Sequence, residues 1–208
     1  ILFFLLGYIP EPVTIYENIY SFPAGCFGFL KNNKLSIKEF DKYNYEPKIN
    51  KPYKEIISDV KELFNNSIKR HLISDAPIGT FLSGGLDSSI ITAVAAQYKT
   101  DLQTLSLVFD EKELSEEKYQ DLIVKKYNTK HTKYLINESL FLDNIDDYFK
   151  AMEQPTIDGL NTYFVSKAAK DNGLTTVLSG VGGDEIFYGY PSFKDGKTLE
   201  FLTKIPYF

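Results

Sequence analysis

Hydrophobic and polar positions change period several times along this chain, and each change marks an element. The opening ILFFLL is apolar, is closed by Gly7, and reads as a buried strand or helix end. GYIPEPVTIYENIYSFPAG (7–25) carries Pro10, Pro12 and Pro23, which break any helix, while its aromatic and β-branched residues favour short extended pieces. NYEPKINKP (44–52) is polar, proline-bearing and without a hydrophobic period, so it reads as a linker. Pro52 suits the first position of a helix. From there Tyr53, Ile56, Ile57, Val60, Leu63, Phe64, Ile68 and Leu72 recur at helical spacing, predicting an amphipathic helix of about five turns.

Beyond that helix the pattern alternates. PIGTFL (77–82) predicts a short buried strand, Ser89 to Tyr98 a small-residue helix, and LQTLSLVF (102–109) a second strand. SEEKYQDLIVKKY (115–127) predicts a helix with Ser115 as N-cap and Glu116 and Glu117 in its first turn, where the dipole favours negative charge. HTKYLI (131–136) is a third strand, and SLFLDNIDDYFKAM (139–152) and NTYFVSKAAKDNG (161–173) are helices, the latter closed by Asn172-Gly173. TTVLSG (175–180) is a fourth strand. Such alternation predicts an α/β fold, a parallel sheet with helices on both faces.

Two glycine-rich turns, 83–89 and 179–185, fall at carboxyl ends of these strands, where open α/β sheets bind ligands. In SGGLDSS, Ser83-Gly84-Gly85 lets the backbone turn sharply and approach a ligand. Ser88 and Ser89 open a helix whose free N–H groups attract an anion. Asp87 would repel phosphate unless a cation intervened, so the loop implies Mg²⁺. It matches neither GxxxxGK[ST] nor GxGxxG, which disfavours a Walker-type NTPase and a dinucleotide enzyme. SGVGGDE again combines glycines with carboxylates, so Asp87 and Asp184 could share the metal of one nucleotide. The plainer reading of each turn is a strand-to-helix connection with an acidic residue near a helix start.

Composition narrows this further. Of 208 residues, 43% are hydrophobic and 25% charged, which describes a globular chain and excludes disorder, collagen and coiled coil. A net charge of −5 argues against a dedicated nucleic-acid binder, which needs a basic excess to release counterions. The single cysteine, Cys26, excludes an intramolecular disulfide and favours a reducing compartment. His71 and His131 stand too far apart in sequence for a His-rich metal site. The apolar opening is too short to span a membrane. The chain starts without Met and stops at Phe208 after LEFLTKIPYF, so it is expected to be a piece of a larger protein.

FLSGGLDSS resembles the pyrophosphate loop of N-type ATP pyrophosphatases, shared by GMP and NAD synthetases and tRNA-modifying enzymes. The longer frame, RHLISDAPIGTFLSGGLDSS followed by VLSGVGGDEIFYGY, resembles the synthetase domain of glutamine-dependent asparagine synthetases. GYIPEPVTIYENIYSFPAG resembles the end of that family's glutaminase domain. The implied organisation is a β-rich tail of a glutamine amidotransferase domain over 1–45, then a truncated ATP-binding domain over 46–208. The implied fold is adenine nucleotide alpha hydrolase-like.

The resemblance implies a ligase that takes ATP, Mg²⁺, a carboxylate acceptor such as aspartate, and ammonia from glutamine. Its ATP dependence, the single cysteine and the lack of a targeting segment lead to the expectation of a cytoplasmic location. ATP is cleaved between its α- and β-phosphates, the carboxylate becomes an acyl-adenylate, and ammonia attacks it. By matching position, Ser83, Gly84, Gly85, Asp87, Ser88 and Ser89 would hold pyrophosphate. Leu82 and Leu107 would bracket adenosine, although both also suit plain core strand positions. Ser179 and Gly180 would face the ribose or α-phosphate, and Asp87 and Asp184 would hold Mg²⁺. No nucleic-acid or membrane partner is implied, and the sequence assigns no oligomeric state.

Three departures from the family pattern stand out. Val181 occupies the position of a Glu in SGEGxDE. EQPTIDGLNT (153–162) lacks the arginine of the aspartate-binding segment, and Arg70 is the chain's only arginine. Cys26 cannot be the N-terminal nucleophile of a glutaminase and is read as a packing residue. Glu153, Asp158 and Asn161 could line the acceptor pocket or serve as caps. The first two departures leave room for another acceptor, such as a uronic acid of a surface glycan. A nucleotide-binding module without turnover is the competitor from another class.

Overall fold

The computed structural model describes residues 2–42, 49–110, 115–191 and 193. Most of the 44–52 linker, part of ELSEEK (113–118) and all of LEFLTKIPYF (199–208) lie outside the described residues. By contacts the chain divides into two compact units. One comprises Ile1–Lys61 with Phe141–Phe164, the other Glu62–Leu140 with Val165–Phe208.

In the first unit, α1 (Leu2–Leu6) is a short helix, and Phe4 is 89% exposed, so the apolar opening is helical but not buried. The proline-rich stretch after it forms turns rather than strands. The extended structure comes later, as an antiparallel hairpin of β1 (Cys26–Lys31) and β2 (Lys34–Glu39). Asn32 and Asn33 at its tip both take left-handed φ values, 50° and 59°, the conformation that matches the twist of a two-residue hairpin. Cys26 is half-buried at the start of β1. This unit also holds an aromatic cluster, with Phe164 buried and its ring 5.3 Å edge-on from Tyr163 and 6.4 Å from Phe141.

Helix α2 (Tyr53–His71) has the predicted length. Pro52 sits just outside it, its carbonyl accepting from the amides of Glu55 and Ile56. Of its apolar stripe, Ile68 is buried with Phe64 and Leu72 packed beside it, whereas Ile57, Val60 and Leu63 are exposed. Periodicity fixes which residues share a face, but burial depends on what meets that face.

The second unit holds the sheet. Its strands are β3 (Ile78–Phe81), β4 (Gln103–Phe109), β5 (Lys130–Ile136) and β6 (Thr176–Leu178). They run parallel in the order β5-β4-β3-β6. Helices α3 (Leu86–Tyr98), α4 (Glu117–Tyr127), α5 (Glu138–Ala151), α6 (Gly159–Asp171) and α7 (Gly183–Phe187) complete the described elements. Helices cover both faces, as neighbouring strand residues show. Leu178 packs with Ile91, Val94 and Ala95 of α3 and Ile68 of α2, while Val177 packs with Leu105, Leu174 and Ala169 of α6. Each large aliphatic side chain buried this way contributes about 1.5–3 kcal/mol.

The order β5-β4-β3-β6 has a consequence for ligands. From β3 the chain proceeds outward to β4 and β5, then returns to place β6 on the other side of β3. The sense of winding therefore reverses between β3 and β6, and such a reversal opens a crevice at the strands' carboxyl ends. Both glycine-rich turns leave from those two strands.

Candidate nucleotide site

The first turn is shaped by a hydroxyl network. Ser83 Oγ accepts from the Gly85 amide at 3.2 Å and lies 2.9 Å from Ser88 Oγ. Ser88 Oγ in turn accepts from the Ser83 amide at 3.2 Å and donates to the Gly85 carbonyl at 3.2 Å. Gly84 adopts φ +96°, which a side chain would strain, and an added Cβ would lie 2.9 Å from Glu116 Cβ. The turn thus rests on the N-terminal end of α4.

Helix α3 begins at Leu86, earlier than the sequence pattern indicates, with Gly85 as a cap that offers no side-chain hydrogen bond. Its first intrahelical bond comes from the Ser89 amide to the Gly85 carbonyl. The amides of Leu86, Asp87 and Ser88 therefore have no acceptor within the helix, and the dipole adds positive potential there. An anion of phosphate size fits such a terminus.

The second turn closes on this terminus. An added Cβ on Gly180 would lie 3.1 Å from the Ser88 amide nitrogen and 3.2 Å from Asp87 Cβ. One on Gly183 would lie 2.6 Å from Asp87 Cγ. Only glycine lets the backbone after β6 approach α3 this closely. Within the same turn Ser179 Oγ accepts from the Val181 amide at 3.3 Å, a local bond that holds the start of the turn.

The carboxylates of Asp87 and Asp184 have no hydrogen-bond or ion-pair partner among the described residues. Asp87 lies against Gly183, whereas Asp184 turns toward Gly189 at the far end of α7. Glu185 is already engaged, accepting from Tyr190 Oη at 3.0 Å. Among the described residues no three His, Cys, Asp or Glu side chains gather as a metal-holding group. The unpartnered Asp87 carboxylate beside the free amides of α3 nonetheless fits Mg²⁺, which takes one or two carboxylates and completes its shell with water and phosphate oxygens, while Asp184 faces Gly189 instead.

Other expected residues are placed as follows. Leu82 is fully buried, its amide donating to the Leu105 carbonyl at 2.8 Å and its carbonyl accepting from Ser106 Oγ, so its side chain belongs to the core. Leu107 is half-buried on β4, and Ser89 is half-buried in the first turn of α3. Val181 is 90% exposed. Arg70 is exposed and donates Nε to the Asn66 carbonyl of its own helix. Glu153, Asp158 and Asn161 are exposed and belong to the other unit. Ser115 does not cap α4: Glu116 holds that position, and Ser115 Oγ accepts from the Glu117 amide at 3.4 Å. Sequence reasoning missed Gln120, which is 2% exposed and donates Nε2 to the Ser83 carbonyl at 3.1 Å. A glutamine within a predicted amphipathic helix carries no signal of such a contact.

Comparisons with known proteins cover the same residues. The family model described as asparagine synthase matches residues 59–205. A Methanocaldococcus jannaschii protein, provisionally named a glutamine-hydrolysing asparagine synthetase 2, is 36% identical over 100% of this chain and 41% of its own length. Glutamine-hydrolysing asparagine synthetase 1 of Bacillus subtilis is 28% identical over 96% of this chain and 32% of its own. The chain thus spans less than half the length of these relatives. Among solved structures, an NH3-dependent NAD synthetase from Campylobacter jejuni overlaps with a TM-score of 0.41 at 15% identity, covering 67% of this chain and 61% of that one. Among the described residues no helix is long and apolar enough to cross a membrane.

Proposed function

The chain belongs to the asparagine synthase family, and we propose that it carries the ATP-binding, adenylate-forming part of a glutamine-dependent carbon–nitrogen ligase. The observation that supports this most is the contact of Gly180 and Gly183 with Asp87 and Ser88, which brings two distant glycine turns onto one helix terminus suited to an anion. A nucleotide's phosphates suit that terminus because backbone amides need no reorganisation as charge develops.

In this reading an acceptor carboxylate oxygen attacks the α-phosphorus of ATP, and the bond to the bridging oxygen breaks. Pyrophosphate departs with the electron pair into the amides around Ser83, Gly84, Gly85, Ser88 and Ser89. Ammonia then attacks the acyl carbon, AMP leaves, and loss of a proton gives the amide. Ser179 and Gly180 flank the ribose or α-phosphate, and Leu107 borders adenosine with Leu82 behind it. Asp87 and Asp184 would hold Mg²⁺, whose contribution is to neutralise the charge of the leaving pyrophosphate. Aspartate is the proposed acceptor, glutamine the proposed source of ammonia, and the cytoplasm the proposed location.

A second reading keeps the chemistry and changes the acceptor. Val181 presents an exposed isopropyl group where the family pattern carries a carboxylate, and Arg70 is bonded to its own helix. Both features favour a carboxylate other than aspartate, such as a uronic acid. The full-length protein supplied with ATP, Mg²⁺ and ammonia separates the readings by pyrophosphate release. Stimulation by aspartate supports the first, and stimulation by a sugar acid alone supports the second. ATP binding without release under any acceptor would replace both with a nucleotide-binding module. Asp87→Ala is expected to abolish release while the protein stays folded, and full activity in that variant would overturn the site.

A further inference from the structure

Gln120 makes a contact that the proposed chemistry does not yet use. Its side chain is buried beneath the first glycine turn, and Nε2 donates to the Ser83 carbonyl at 3.1 Å. Its Oε1 is buried with no hydrogen-bond partner among the described residues. Reversing the amide would set Oε1 against the Ser83 carbonyl, two acceptors facing each other, so the observed orientation is the favourable one. A buried acceptor left unpaired is destabilising, and an apolar side chain of the same size would avoid that cost. The amide is therefore a poor choice for packing alone, and its distinctive contribution is the bond to Ser83.

That bond has a directional effect. The Ser83–Gly84 peptide is trans, the cis bond among the described residues being Glu11–Pro12. In a trans peptide the carbonyl and the following N–H point in opposite directions. Drawing the Ser83 carbonyl toward α4 turns the Gly84 N–H away from α4. Gly84 at φ +96° is free to swivel, having no Cβ, so its peptide needs an external hold.

We propose that Gln120 is a positioning residue that fixes the Ser83–Gly84 peptide so that the Gly84 N–H is presented to the leaving pyrophosphate. This rests on the pyrophosphate-site reading given above. The test is calorimetric binding of magnesium pyrophosphate to the full-length protein and its variants. Gln120→Met, similar in size but without a donor, is expected to weaken binding about tenfold, the equivalent of one well-placed hydrogen bond. Its thermal stability should change little, because one unpaired acceptor is removed while the Ser83 carbonyl loses its donor. Gln120→Glu supplies an independent readout. As a carboxylate it cannot donate to Ser83, but its protonated form can, so its affinity relative to wild type should recover as pH falls from about 8 toward about 5.5.

Wild-type affinity in a folded Gln120→Met protein would overturn the proposal. If that variant does not fold, a pH-independent affinity ratio for Gln120→Glu would overturn it instead. Absence of pyrophosphate binding in the wild type would remove the underlying site reading as well, and is thereby distinguishable from failure of Gln120 alone.

Discussion

The carboxyl group of Asp87, on the first turn of α3, packs directly on the backbone of Gly183, at the start of α7. Residues nearly a hundred positions apart are thereby held together, and any side chain at 183 would occupy the space Asp87 fills. Gly183→Ala is expected to push the Asp87 carboxylate aside. Displacements of about 1 Å near reacting groups can cost roughly 100-fold in rate, and a fall of that order in pyrophosphate release is expected. Stability should change by less than about 1 kcal/mol, because the displaced carboxylate is a side-chain end. Steady-state kinetics beside a thermal melt checks both.

Ser88 is 6% exposed, and its hydroxyl ties the Ser83 amide, the Ser83 hydroxyl and the Gly85 carbonyl together. Ser88→Ala leaves these groups without that partner and should cost about 1–3 kcal/mol by denaturant unfolding. Pyrophosphate affinity should fall with it, since the same hydroxyl shapes the turn. Retained stability and affinity together would show that the network is dispensable.

Thr80 and Thr92 are both fully buried, with hydroxyl oxygens 2.9 Å apart, joining β3 to α3. Thr92→Val should destabilise by about 1–3 kcal/mol because it strands the Thr80 hydroxyl. Replacing both threonines by valine should cost less than the sum of the single changes, and a double-mutant cycle measures the difference.

His131 is half-buried on β5, with Nδ1 2.9 Å from Thr104 Oγ1 and Nε2 buried without a partner among the described residues. Burial, then the nearby charge of Lys133, holds its pKa below the ordinary 6.5, against the opposing effect of Asp121. In the unfolded chain His131 takes up a proton near pH 6.5, while the folded protein resists doing so. The unfolded state therefore binds more protons in that window, and stability falls as pH drops below about 6.5. His131→Phe is expected to flatten this part of the profile, as urea titrations on either side of that pH would reveal.

The alternation of strands and helices was legible because each element repeats its own hydrophobic period, and the two glycine turns because close backbone approach demands glycine. Element ends were less legible. α3 starts at Leu86, since Gly85 supplies the turn's extended cap, and α4 is capped at Glu116 rather than Ser115. The helical period of Tyr53 to Leu72 was visible, yet Ile57, Val60 and Leu63 remained exposed. Phe4 was readable as apolar and is exposed for the same reason.

Local period and local chemistry are enough to establish the parallel α/β class, the two motifs and their acidic residues. Everything that depends on distance came from the folded arrangement. The strand order β5-β4-β3-β6 brings both turns to one reversal point and sets Asp87 on Gly183. It also brings Gln120 under Ser83. Most of these contacts join residues far apart in the chain, and no local pattern encodes a distance that exists only once the sheet has formed.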